Sequence, residues 1–109
     1  ICFLPEPEEA LRECGRVLKN NGKLIIGFIP ADSQWGCYNA ERGKLGHRFY
    51  SHARFYVPDE IKDFAGKAGF DFESVISCRL PEPGDGMEFQ TTANESFMIL
   101  AFRKGETKK

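Results

Sequence analysis

The sequence predicts an α/β chain built as the second half of a doubly wound sheet. Three observations carry that prediction: a continuously apolar run from Leu24 to Ile29, a helix-period segment before it, and a second helix followed by two strand-like runs with no helical period between them. Continuous apolarity, rather than alternation, is how a strand covered on both faces of a parallel sheet reads.

Ile1 to Leu4 is a β-like apolar stub and reads as a chain cut in mid-strand. Pro5 and Pro7 cannot extend a helix upstream, but Pro is well placed in a first helical turn, where its missing N–H would be unpaired anyway. A helix therefore starts near Pro7, with Glu8 and Glu9 at its positive dipole end and Ala10, Leu11, Cys14, Val17 and Leu18 as its apolar stripe. Lys19 lies in its last turn, and Asn20, Asn21 and Gly22 tolerate the left-handed conformation of a helix stop. Pro30 ends the strand that follows. Strand, helix and buried strand make one right-handed βαβ unit, which puts Ile1–Leu4 beside Leu24–Ile29 and parallel to it.

From Ala31 to Tyr56 there is no clean period, only aromatics, glycines and basic residues. A connection of that length is uncommon unless it is functional or carries a short helix of its own. Pro58, Asp59 and Glu60 then open a second helix with Ile61, Phe64, Ala65 and Ala68 as its inner face, and Gly69 followed by Phe70 suits a Schellman stop. Phe72–Cys78 reads as a strand and Pro81–Gly86 as turn residues, Asp85 among them. Phe97–Phe102 is a last strand, expected to pair antiparallel with its predecessor. Residues 104–109 are expected to be a polar tail.

The chain has 109 residues, 41% hydrophobic and 28% charged, which is ordinary for a single small globular domain. A formal charge of −1 and a pI near 6.2 provide no general field for a nucleic acid, so nucleic-acid binding is not expected. No apolar stretch is long enough to span a bilayer. Cys2, Cys14, Cys37 and Cys78 show no Cys-x-x-Cys spacing, and reduced thiols in a cytoplasm are the simplest reading.

The segment from Ala10 to Gly27, centred on Arg16-Val17-Leu18-Lys19-Asn20-Asn21-Gly22, resembles the helix exit and following strand of the ubiquinone-biosynthesis-type class I methyltransferases. Phe55 to Ile61, Ala68-Gly69-Phe70 and the final run from Phe97 to Arg103 fit the same family in order. Asn20 and Asn21 stand where the family prefers Pro and Gly, and Asn can still make the turn. The resemblance implies the C-terminal half of a Rossmann-like methyltransferase, with residues 1–109 a partial domain and 31–56 a substrate-side insertion. It implies S-adenosyl-L-methionine as cofactor and a small-molecule methyl acceptor. The family's glycine-rich cofactor loop, and the acid that holds the cofactor ribose, would lie upstream of Ile1, so this piece alone is expected to be inactive.

The resemblance also makes Cys2, Phe3 and Leu4 the end of the strand nearest the cofactor: Cys2 and Phe3 are the cofactor-side candidates and Leu4 a substrate-side one. Trp35, Tyr38, Arg48, Phe49, Tyr50 and His52 of the insertion are the remaining substrate candidates, where aromatics either wall an acceptor or cap a thin core. Arg42, Lys44, Arg48 and Arg54 have no acid among them, which makes either a site for a phosphate or carboxylate or a solvated basic face. His47 and His52 are five apart, which does not suit a metal site with Cys37, although either could act as a general base. No catalytic residue is assigned. A different class of function also fits: a non-catalytic α/β module that associates, with copies of itself or another chain, through an open sheet edge. Another kind of α/β enzyme fits too, because fold does not fix function.

Overall fold

The structure is a computed structural model that describes residues 1–79 and 96–105. Helix α1 spans Pro7–Val17, with Pro7 in its first turn and Glu8 and Glu9 at its positive end. Its inner face is Pro7, Leu11, Cys14 and Leu18, whereas Val17 is exposed. Steps of four, three and four keep those residues within a narrow sector of the helix, and Val17 falls on its flank. Asn21 makes the expected left-handed stop with φ 64°. It also ties the helix exit to the end of the chain, since the Asn21 N–H donates to the Lys104 carbonyl and the Lys104 N–H to that of Gly22.

Strand β1 (Lys23–Phe28) follows, then α2 (Gln34–Lys44), a 3-10 turn (Tyr50–His52), α3 (Pro58–Lys67), β2 (Phe70–Cys78) and β3 (Phe97–Lys104). Ser33 caps α2: its hydroxyl accepts from the Gly36 N–H at 3.0 Å and donates to the Pro30 carbonyl at 2.7 Å. Pro58 opens α3, and the Glu60 carboxylate accepts from the Val57 N–H at 3.0 Å. Gly69, with φ +90°, ends that helix as expected. Lys104 belongs to β3 rather than to a tail. Asp85, the Pro81–Gly86 turn and residues 106–109 lie outside the described residues.

The described sheet has the order β1-β3-β2. β3 pairs antiparallel with both neighbours, so β1 and β2 run the same way with an opposed strand between them. The pairing of β2 with β3 is the one the sequence implied. The register places Ile26, Leu100 and Val75 in one row, and Leu24, Phe102 and Phe72 in another on the same face. Leu11 of α1 and Ile61 and Ala65 of α3 join that face in one core with Ile26, Phe28, Leu100 and Phe102. Ile61 and Leu100 are fully buried, and burying a side chain of that size contributes about 1.5 to 3 kcal/mol.

Two expectations are corrected. Ile1–Leu4 is not a strand beside β1, and among the described residues β1 has no parallel neighbour. The backbone of the stub is engaged elsewhere: the Leu4 N–H donates to the Ile1 carbonyl, and the Cys2 carbonyl accepts from the Arg54 N–H at 2.7 Å. Pro5 has no N–H to offer a ladder. The apolar run of β1 is also not covered on both faces, since Ile25 is 65% exposed. The helices α1 and α3 join the core on one side of the sheet and leave Ile25 and Ile76, on the other face, exposed.

The Ser33 cap is a testable joint. Ser33→Ala should cost about 1 kcal/mol, read as a lower midpoint in urea denaturation. An unchanged midpoint would show that α2 does not depend on it.

Candidate functional site at the carboxyl end of β1

Ligands of open α/β sheets bind at strand carboxyl ends, and β1 leads there into the insertion. The insertion leaves and returns at one point, because the Ala31 N–H donates to the Tyr56 carbonyl at 2.9 Å. Pro30 before it is fully buried, and Tyr56 is a core residue. Both ends of residues 31–56 are therefore anchored, and the residues between them form a closed excursion over the end of the strand.

Within that excursion α2 and the 3-10 turn pack closely. A Cβ at Gly43 would lie 2.3 Å from the Tyr50 carbonyl oxygen, so only glycine fits there. The His47 Nδ1 accepts from the N–H groups of Phe49 and Tyr50, each at 3.2 Å, which places the ring proton on Nε2. Tyr50 is the hub. Its ring lies 4.8 Å from that of His47, 6.1 Å from Phe55 and 6.3 Å from Phe3, measured between centroids. The Arg42 guanidinium lies over both Tyr38 and Tyr50, at 5.3 and 5.5 Å, and links α2 to the turn.

Phe3, Leu4, Pro5, His52 and Arg54 together line a cleft of about 380 Å³. The structure thus joins three of the predicted residues, Phe3, Leu4 and His52, with Tyr50 stacked behind Phe3. Cys2 meets them through its backbone, by the bond from the Arg54 N–H. Trp35 and Tyr38 pack edge to face on α2 at 5.8 Å and do not line the cleft. Arg48 lies over Phe49 at 5.6 Å, and the two line neither this cleft nor the larger one beside it. That larger cleft, of about 620 Å³, has Glu6, Glu8, Glu9 and Glu60 in its wall with Tyr56, Phe64, Arg12 and Arg54.

Arg54 was named from the sequence only as one of four basic residues that could hold an anion, and Phe55 only within the stretch that resembles the family. The signal available for Arg54 was its membership of the acid-free basic group, which gave no reason to prefer it over Arg48. Burial, and secondarily the negative charge of Asp32, pushes the Cys37 thiol above its ordinary range, so that thiol is poorly suited to nucleophilic work. Among the described residues no three His, Cys, Asp or Glu side chains group as a metal site. None of the helices described is long and apolar enough to cross a membrane.

Comparison with solved structures gives this geometry a context. A crystal structure from Thermotoga maritima, of a SAM-dependent methyltransferase titled a possible histamine N-methyltransferase, matches with a TM-score of 0.77 and 31% identity over 95% of this chain and 51% of that one. The chain has a methyltransferase-like, Rossmann-type fold. It spans about half the length of that structure and less than a third of the first curated relatives it matches. Those are uncharacterized proteins of Mycobacterium tuberculosis and Mycobacterium bovis, each 36% identical over 85 residues that make up 76% of this chain and 29% of theirs. An uncharacterized protein of Methanocaldococcus jannaschii is 37% identical over 62% of this chain and 33% of its own length. No family model matches the chain.

Proposed function

We propose that this chain is part of an S-adenosylmethionine-dependent methyltransferase of the ubiquinone-biosynthesis type, corresponding to its C-terminal half and acting on a small molecule in the cytoplasm. The observation that carries the reading is the structural match over nearly the whole chain, and the candidate cleft lies where the return limb of the insertion meets the Ile1–Leu4 segment. The resemblance around Arg16–Gly22 supports it independently. S-adenosylmethionine, when bound, supplies an electrophilic methyl group. The residues present fit one edge of that cofactor: Phe3 and Leu4 offer apolar surface, but the cleft lining holds no carboxylate for ribose hydroxyls.

On this reading Cys2 and Phe3 lie toward the cofactor, and Leu4, Tyr50 and His52 face the methyl acceptor. Tyr38 supports Tyr50 from α2 through Arg42, with Trp35 packed against Tyr38, and Arg48 and Phe49 lie outside the cleft lining. Methyl transfer asks mainly for alignment of donor and acceptor, and for some acceptors a base. His52 is the better placed of the two histidines, because it lines the cleft while the His47 Nδ1 is occupied. The sequence contains no glycine-rich loop between a strand and a helix, so the chain alone is expected to be inactive. Isothermal titration with S-adenosylhomocysteine tests this, comparing the 109-residue chain with one that also carries its upstream coding sequence. Micromolar binding by the longer chain only is expected, and failure of both overturns the proposal.

One observation favours a second reading, an interaction module. The outer edge of β1 has no partner strand among the described residues, and Ile25 and Ile76 are 65% and 67% exposed. An unpaired strand edge and an uncovered apolar face both favour association. Analytical ultracentrifugation should then show concentration-dependent dimers that Ile25→Lys weakens; a strictly monomeric chain at high concentration contradicts it.

A further inference from the structure

Each basic residue of the insertion can be assigned its surroundings. Arg42 is held over Tyr38 and Tyr50, Arg48 lies over Phe49, and Lys44 is 3.9 Å from Glu41. Among the described residues Arg54 makes no such ring contact or ion pair. Its backbone is nevertheless fixed, by the bond from its N–H to the Cys2 carbonyl at 2.7 Å, and its side chain lines the cleft that holds Phe3 and His52.

Arg54 also borders the larger cleft, where Glu6, Glu8, Glu9 and Glu60 face it together with Arg12. Two of those acids are already engaged, Glu9 with Arg12 at 3.1 Å and Glu60 with the Val57 N–H. An anion on that side would meet a net excess of carboxylates. The cleft on the other side has no acid in its lining, so an anion beside Arg54 is favoured there.

We infer that this cleft binds a small aromatic carboxylate, its ring on the exposed face of Phe3 and its carboxylate on the Arg54 guanidinium. Phe3 is 54% exposed and backed by Tyr50, which makes it a supported platform. A guanidinium presents two parallel N–H groups that match one planar carboxylate. A single permanent cation matches a monoanion better than a phosphate dianion, for which the lining adds only the His52 imidazole. The volume of about 380 Å³ lies in the range of small-molecule sites. The inference rests on the methyltransferase reading and gives its acceptor a chemical class, with Phe3 standing between the two ligands, its ring edge toward the cofactor and its exposed face toward the acceptor.

The probe is benzoate, titrated into the 109-residue chain and followed by amide shifts in NMR, with benzylamine as the oppositely charged match in shape. Benzoate should shift the amides of Phe3, His52 and Arg54 and bind at least about tenfold more tightly than benzylamine. Arg54→Gln should weaken benzoate by about tenfold or more, Arg54→Lys should weaken it less, and Arg16→Gln, the same charge change on α1, should leave it unaltered. The backbone bond from residue 54 to Cys2 survives all of these substitutions, and circular dichroism checks that the helices persist. Equal binding of the two probes, benzoate binding that Arg54→Gln and Arg54→Lys leave unchanged, or no benzoate binding at all overturns the inference. Because no cofactor is present in the titration, such a failure is separate from failure to bind S-adenosylhomocysteine.

Discussion

The structure depends on β3 sitting between two strands that run against it. Leu100 and Phe102 are its two most deeply buried residues, and the rows they head reach β1 on one side and β2 on the other. An interior antiparallel strand satisfies its backbone groups on both edges, so β3 holds the direction of β1 without help from the segment at the start of the chain. The Asn21, Gly22 and Lys104 backbone bonds lock the same strand to the exit of α1. Helices α1 and α3 then need only cover one face.

The site follows from that frame. With β1 fixed, its carboxyl end delivers Pro30 into the core and sends the chain outward from Ala31, and Tyr56 brings it back to the same place. The excursion can therefore carry functional side chains without being loose. Its internal order comes from Tyr50, which receives Phe3, His47, Phe55 and Arg42. The two adjoining clefts differ in charge, one walled by four glutamates and the other by Arg54 and His52 with no acid, so Arg54 stands at a boundary. A boundary of that kind sorts ligands by the sign of their charge.

Much of the scaffold was legible in the sequence because it rests on local signals. Pro7 and Pro58 open helices, Asn21 and Gly69 take left-handed conformations, and the antiparallel last strand follows from two strands with no helix between them. The stub at Ile1–Leu4 was misread because apolar composition marks a strand only when a neighbour takes up its hydrogen bonds, and those groups go to Leu4 and Arg54 instead. Helix α2 was hidden by Gly36 and Gly43, residues that lower helix propensity yet are required by close contacts with Pro30 and Tyr50. The site was half legible: aromatics and histidine could be named, but choosing Arg54 over Arg48 needed the bond to Cys2, a contact between residues 52 positions apart that no local pattern encodes.

Native-state hydrogen exchange tests the role of β3 most directly. The account predicts that the amides of Ile99 to Phe102 exchange slowest, through global unfolding, while the Ile25 region on the outer half of β1 exchanges faster. If β3 exchanged as fast as β1 or faster, the strand would not be the one that holds the others, and the account would be contradicted.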